Sequence, residues 1–262
     1  MTRAWIVIPT YNEAQNLPGI VAAVRAAMAT AASGVAASIL VVDDNSPDGT
    51  GEIADGLAAA HPDVHVLHRP GKAGLAAAYI AGFGRALAEG ADYVLEMDAD
   101  FSHDPADLPR LLEAARAGAD VVIGSRYVRG GGVDGWSRDR ELLSRLGGFY
   151  ARAVLGSSIR DLTGGFKCFR AAALRAIGLE NLVAEGFAFQ VETTYRAGRA
   201  GLRTVEVPIV FHERRAGRSK MSAAIAVEAL WRVPELRLAV WRRRLTPAPA
   251  MPALPADAGA RS

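Results

Sequence analysis

The sequence predicts an α/β protein: a single domain with a mostly parallel central sheet and helices on both faces. Three observations predict it. Short apolar runs alternate with longer, alanine-rich amphipathic segments along most of the 262 residues, which is the pattern of strands joined by crossover helices. Two of the runs, Trp5 to Ile8 and Ile39 to Val42, are apolar at every position, as strands covered on both faces are. Three runs end in polar or acidic residues, and in an open parallel sheet ligands bind at the carboxyl ends of the strands.

The first strand, Trp5 to Pro9, closes on a proline and delivers Tyr11, Asn12 and Glu13 to its end. A helix from Asn16 to Ala32 follows. The second strand, Ile39 to Val42, runs into Asp43-Asp44-Asn45-Ser46-Pro47-Asp48-Gly49-Thr50. Asp48 or Thr50 is placed there to cap a helix from Gly51 to Ala60. A third strand, Val64 to Leu67, leads to the turn Gly71-Lys72-Ala73-Gly74 and a helix reaching Glu89. The fourth, Tyr93 to Met97, ends at Asp98-Ala99-Asp100. Then come a helix from Pro105 to Ala117, a strand at Val121 to Ile123, a Gly- and Arg-rich loop from Arg126 to Arg140, and a helix from Leu142 to Leu155. The turn Asp161 to Phe166, a helix from Phe187 to Ala200 and a strand from Thr204 to Val210 lead into a basic loop, His212 to Lys220. Residues 222–245 read as amphipathic helix interrupted near Pro234, and the Pro/Ala-rich stretch from Thr246 as disordered.

Composition narrows the function classes. The net charge of +2 points to no polyanionic partner by itself, although Arg crowds the last third of the chain. The basic loop lacks interleaved aromatics and no nucleic-acid-reading motif is present, so no nucleic-acid partner is expected. Cys168 is the sole cysteine, which excludes an intrachain disulfide and a cysteine-rich metal site. No apolar run reaches the roughly 18 residues of a spanning helix. The first residues lead straight into a strand, so no leader is expected and the expected location is cytoplasmic.

Asp98 and Asp100 are the central chemical feature. Two carboxylates one residue apart at a strand end can share a hard divalent cation, which can bridge the phosphates of a nucleotide diphosphate. Asp-x-Asp is common by chance, where it is a solvated loop or a helix cap; its place directly after an apolar strand favours the ligand reading. Asp43 and Asp44, after another apolar strand, are placed to accept hydrogen bonds from a ribose or base edge. The Gly71 to Gly74 turn lacks the spacing of a phosphate loop and reads as a turn with exposed backbone. Arg126 follows a strand and points at the same edge, while Arg214, Arg215, Arg218 and Lys220 form either a solvated basic turn or a phosphate clamp.

Pro9-Thr10-Tyr11-Asn12-Glu13, Asp43 to Thr50 and Met97-Asp98-Ala99-Asp100 together resemble family-two glycosyltransferases of GT-A fold. Gly124-Ser125-Arg126-Tyr127, Gly131 to Trp136, Asp161 to Phe166, Gly186 to Glu192, Glu206-Val207-Pro208-Ile209 and Arg214 to Lys220 narrow the resemblance to dolichyl- or polyprenyl-phosphate mannosyltransferases, over residues 4–225. The resemblance implies a GT-A catalytic domain over residues 1–220, with a nucleotide-sugar half (1–104) and an acceptor half (105–220). A basic amphipathic segment (221–245) and a tail (246–262) follow it. It implies that Pro9, Tyr11, Glu13, Val42 and Asp44 hold the guanosine part of GDP-mannose. Asp98 and Asp100 would carry Mg²⁺ or Mn²⁺, with Ala99 lining the site. Arg126, Arg214 and Lys220 would contact phosphates of the donor or of the polyprenyl phosphate acceptor. Asp98, Asp100, Arg214 and Lys220 are then the expected catalytic residues. Two positions depart from the pattern: Ala76 stands in Gly74-Leu75-Ala76 where relatives often have glycine, and Ser102 stands where some carry a metal-contacting Gln.

The implied reaction is inverting transfer of mannose to a polyprenyl phosphate. A phosphate monoester with a second pKa of about 6 is already nucleophilic near neutral pH, so no dedicated base is required. Three alternatives stand beside this reading. One is transfer of glucose or another sugar from a UDP-sugar to the same kind of acceptor. Another is transfer to a hydroxyl, for which Glu192 or Asp161 would be the base. The third is a non-catalytic nucleotide-sugar-binding domain, against which the intact Asp98 and Asp100 speak. A lipid acceptor implies peripheral contact with the cytoplasmic face of a membrane, and nothing in the sequence points to a particular membrane-protein partner. Ile225, Val227, Leu230, Trp231, Leu238, Val240 and Trp241, interleaved with Arg232, Arg237 and Arg242 to Arg244, suit an interfacial helix on anionic lipid. They suit equally a helix packed on the domain with a solvated basic end.

Overall fold

The computed structural model describes residues 1–31, 34–182, 187–213 and 231–238. Its strands are β1 (Thr2–Thr10), β2 (Val35–Asp43), β3 (Val64–His68), β4 (Tyr93–Glu96), β5 (Val121–Ser125), β6 (Gly132–Val133), β7 (Lys167–Arg170), β8 (Thr204–Pro208) and β9 (Val210–Phe211). Seven of them form one sheet in the order β3-β2-β1-β4-β7-β5-β8, while β6 and β9 pair separately. Only β7 runs antiparallel to its neighbours, β4 and β5. The helices are α1 (Leu17–Ala29), α2 (Thr50–Ala60), α3 (Leu75–Ala88), α4 (Leu108–Arg116), α5 (Arg138–Leu155), α6 (Ala171–Ile177) and α7 (Phe187–Arg199).

The period-2 alternation of the strands divides their side chains between two cores. Ile6, Ile8, Ile39 and Val41 pack against Leu17, Ile20 and Val24 of α1 and Leu108, Leu111 and Leu112 of α4. Trp5, Val7, Leu40 and Val42 face the other way, onto Tyr79 and Phe83 of α3, Leu174 and Ile177 of α6 and Phe189 of α7. Both faces of β1 and β2 are therefore covered, which is why these strands are apolar without interruption. α3 lies close on this second face because Gly82 has no side chain; a Cβ there would collide with Val7. A third, smaller core joins Ala151 and Leu155 of α5, Leu162, Val191 and Tyr195 of α7, and Val233 and Leu236.

The mostly parallel sheet with helices on both faces is the architecture expected. Two elements inside it were not: β7 and α6. β7 reads Lys-Cys-Phe-Arg and shows no apolar run, yet it lies in the middle of the sheet, with the ammonium of Lys167 drawn fully inside by Glu96 of β4. The expected strand from Thr204 to Val210 is divided. β8 pairs with β5 up to Pro208, and then Val210 and Phe211 join Gly132 and Val133. Residues 231–238 are helical through Pro234 rather than broken there. Among the described residues no helix is long and apolar enough to cross a membrane. Arg214, Lys220 and the tail from Thr246 lie outside the described residues.

Candidate active site

β1, β2 and β4 are neighbours and run parallel, so the loops that follow them meet at one edge of the sheet. Each contains one non-glycine residue with a left-handed backbone: Asn12 (φ 62°), Asn45 (φ 57°) and Phe101 (φ 61°). Asn adopts this conformation at small cost, because its side chain bonds locally, whereas for Phe it is an outlier. Such strain collects where a structure holds a site in shape. The loops are also fastened to one another. The backbone N–H groups of Asn12, Glu13 and Ala14 donate to Ser46 Oγ (3.1 Å), Thr50 Oγ1 (3.0 Å) and Asp48 Oδ2 (3.1 Å). Asp48 caps the start of α2 through the N–H and hydroxyl of Thr50, so one carboxylate serves both the cap and the neighbouring loop. These hydrogen bonds hold its pKa below the ordinary value against the opposing pull of burial.

Asp43 is buried and accepts from Thr10 Oγ1 (3.4 Å) and Ser46 Oγ (2.6 Å); it braces the loop rather than facing outward. Asp44 is paired at 2.5 Å with Arg69, which arrives from the end of β3. Glu13 accepts from the side chain of Asn16 at 2.8 Å. Lys72, in the glycine-flanked turn before α3, stands 4.0 Å over the ring of Tyr11. That turn carries no phosphate-loop spacing, yet the fold brings it onto the edge. The side chain of Val42 is 0% exposed in the core under α3. Only its main chain is left at the edge, and its carbonyl accepts from Thr10 Oγ1. Ala99 likewise points into the opposite core.

Asp98 is half-buried and Asp100 buried. Each carboxylate is oriented by a hydroxyl. Tyr79, fully buried in the middle of α3, donates to Asp98 Oδ1 at 3.0 Å. Ser102 donates to Asp100 through both its hydroxyl and its N–H. Burial, followed by the charge of Asp98, pushes the Tyr79 phenol well above its ordinary pKa, so it remains a donor. Sequence reading missed Tyr79; its only signal was a hydroxyl on the buried side of an otherwise apolar helix. Behind Asp98 lies Glu96, fully buried 3.5 Å from Lys167. Lys167 donates to the carbonyl and side chain of Gln190 and to Thr193. Burial raises Glu96 to about 7, only partly offset by the Lys167 charge.

Arg126 lies at the end of β5, as expected, but it does not face open space. It is 7% exposed, and its Nε and Nη2 clasp Asp161 at 2.7 Å each, with Thr163 at 2.6 Å from Nη2. Burial would raise the Asp161 carboxyl, but the Arg126 charge and hydrogen bonds outweigh it and hold the pKa below its ordinary value. The guanidinium sits among the rings of Tyr127, Trp136 and Phe211. His103 stacks on Phe166 and meets Phe211 edge-on, joining the Asp98–Asp100 loop to this aromatic group. Asp161 and Glu192, the bases that a hydroxyl acceptor would need, are each held in an ion pair. Both are buried, one bound to Arg126 and the other to Arg196 at 2.8 Å.

Residues 5–178 match the family described as Glycosyl transferase family 2. An undecaprenyl-phosphate mannosyltransferase of Micrococcus luteus is 49% identical over 237 residues, 90% of this chain and 95% of that protein. A polyprenol monophosphomannose synthase of Mycolicibacterium smegmatis is 50% identical over 234 residues, 89% of this chain and 86% of that protein. Among solved structures, mannosyl-3-phosphoglycerate synthase from Rubrobacter xylanophilus superposes with a TM-score of 0.65 at 22% identity, covering 90% of this chain and 74% of that one. Glucosyl-3-phosphoglycerate synthase from Mycobacterium tuberculosis, crystallised with Mn²⁺, UDP-glucose and phosphoglyceric acid, gives 0.64 at 18% identity, covering 90% and 80%. At those identities the two structures speak to the GT-A fold alone. The fold, the acids at its carboxyl edge and the match over residues 5–178 establish that the chain belongs to glycosyl transferase family 2.

Proposed function

We propose that this glycosyltransferase moves mannose, with inversion, from GDP-mannose to a polyprenyl phosphate. The observation that carries the reading is the near-half identity, over about nine-tenths of the chain, to two enzymes named for mannose transfer to polyprenyl carriers. The geometry supports it. Asp98 and Asp100 offer hard carboxylate oxygens of the kind that Mg²⁺ and Mn²⁺ take. Among the described residues no group of three His, Cys, Asp or Glu forms a metal cluster, so donor phosphates and water would supply the other ligands. When bound, such an ion supplies charge neutralisation at the departing diphosphate.

The chain's own residues position the reactants. Tyr79 and Ser102 fix the two carboxylates, and Tyr11, Glu13 and Asp44 form the nucleoside wall. The acceptor phosphate is its own nucleophile, which agrees with an edge whose candidate bases, Asp161 and Glu192, are locked in buried ion pairs. Arg126 holds Asp161 and, with it, the 161–166 turn. Arg214 and Lys220 are proposed to bring the acceptor phosphate in line. Purified protein incubated with radiolabelled GDP-mannose, polyprenyl phosphate and Mg²⁺ or Mn²⁺, beside an EDTA control, tests this. Metal-dependent label in the organic phase is expected. Transfer from UDP-glucose in its place would discard mannose while keeping the acceptor class, and no transfer from any donor would discard the reading.

A further inference from the structure

The edge of the sheet opposite the acids holds a cavity of about 600 Å³, a size at which small-molecule sites are found. It opens where β1 and β4 begin and the antiparallel β7 ends, and Arg3, Gly90, Asp92, Tyr93, Arg170 and Arg175 line it. Tyr93 stands at the start of β4 and Asp98 just beyond its end, about 17 Å away along an extended chain, so this cavity is separate from the candidate active site. Three guanidinium groups border it, against one carboxylate. That carboxylate, Asp92, already accepts the backbone N–H of Arg3 at 2.8 Å. Asp120, outside the lining, stands 4.0 Å from Arg170 and accepts the backbone N–H of Arg203 at 2.9 Å. Arg85, Arg116 and Arg145 each pair with an acid of their own helix, but α6 contains no acid for Arg175 to meet. Arg3 is also held in place. It lies across Gly90, where a Cβ would stand 2.7 Å from Nη1 and Nη2, and its Nη1 donates to the carbonyl of Glu89 at 3.3 Å.

We propose that this cavity is a second binding site, one that takes a small soluble molecule carrying a phosphate group, such as a sugar phosphate. Gathering three like charges around one concavity costs free energy that an arriving anion recovers. Planar guanidinium forks match the oxygens of a phosphate and grip it from more than one side. A phosphate monoester carries a charge of about −1.5 to −2 near neutral pH, which offsets the excess of three cations over one acid. One carboxylate is too few to hold a divalent ion, so recognition here runs through guanidinium charge and not through a metal. β1 and β4 start at this cavity and end at the loops that carry Tyr11 and Asp98. A ligand held by Arg3 of β1 and Arg170 of β7 spans β4 between them and stabilises the folded sheet by mass action.

Calorimetric titration of the full chain with mannose 1-phosphate, with GDP and Mn²⁺ present at saturation to fill the donor site, tests the proposal. Saturable binding of one equivalent is expected, with a rise in melting temperature. Arg175→Gln and Arg3→Gln should each weaken it about tenfold or more. Both side chains are exposed, so without ligand both variants should melt as the wild type does. Asp98→Asn, at the other edge of the sheet, should bind as the wild type does. Inorganic phosphate should compete, and chloride at the same ionic strength should not. No binding at millimolar concentration, or binding that neither arginine variant weakens, would overturn the proposal. Equal competition by chloride would do the same, because it would reduce the cavity to a screened basic surface. Phosphatidic acid vesicles that displace mannose 1-phosphate, and bind through Arg175, would assign the cavity to a lipid headgroup and overturn the soluble ligand. The titration needs no turnover, so its result stands apart from whether the protein transfers mannose.

Discussion

The two halves of the sheet edge treat their charges differently. In the half built from β1, β2 and β4, most acids are held by neutral donors: Asp43 by Thr10 and Ser46, Asp48 by Thr50, Asp98 by Tyr79 and Asp100 by Ser102. Asp44 has Arg69 against it. In the half built from β5, β7 and α7, the buried cations are matched pairwise: Arg126 with Asp161, Arg196 with Glu192, and Lys167 with Glu96 of the adjoining β4. A carboxylate oriented by a hydroxyl keeps its negative charge for an incoming cation. One clasped by a buried guanidinium has spent it on holding the protein together. The first half is the one proposed above to receive a ligand, while the second keeps the turn at 161–166 and the middle strand in place.

Breaking the structural half should cost most. Arg126→Ala leaves Asp161 buried without its partner and is expected to lower stability by about 3–5 kcal/mol, read as the shift in urea midpoint. The pair also has a pH signature. The folded pKa of Asp161 lies below its ordinary value, so its contribution is complete above that value and is lost as pH falls through the folded one. The wild type should weaken below roughly pH 4, and Asp161→Asn should show a flatter acid limb. An acid limb identical in both proteins would assign the acid sensitivity elsewhere.

Disabling the receptive half should spare the fold and remove the chemistry. Asp98→Asn keeps an oxygen for Tyr79 and removes the charge. Transfer is expected to fall about 100-fold or more at a melting temperature close to wild type. An unfolded Asp98→Asn would mean that this carboxylate belongs with the structural pairs after all. The smallest expected effect is the one that sharpens the contrast. Tyr79→Phe removes one hydroxyl and should weaken Mn²⁺ binding in the presence of GDP by about tenfold, measured by electron paramagnetic resonance, while turnover at saturating metal stays near wild type. Unchanged Mn²⁺ affinity would reduce Tyr79 to a core residue whose hydroxyl happens to find a partner.

The receptive half was readable from residue order. Strands covered on both faces must be apolar throughout, and a parallel sheet must bring its strand ends to one edge, so Tyr11 to Glu13, Asp43 to Asp48 and Asp98 to Asp100 were bound to meet once the period was recognised. The structural half was not readable in this way. Lys167 and Glu96 look like surface residues in sequence because a lone buried charge is prohibitively costly; only their meeting across β4 and β7 makes either position tolerable. Sequence cannot show that Asp161, 35 residues on, clasps the guanidinium of Arg126. Tyr79 carried no mark beyond one hydroxyl among alanines. Period and strand-end chemistry are local and travel with the chain. Which charges cancel, which hydroxyl steers a carboxylate and which face of a helix meets solvent depend on contacts between distant segments, and those exist only once the sheet is assembled.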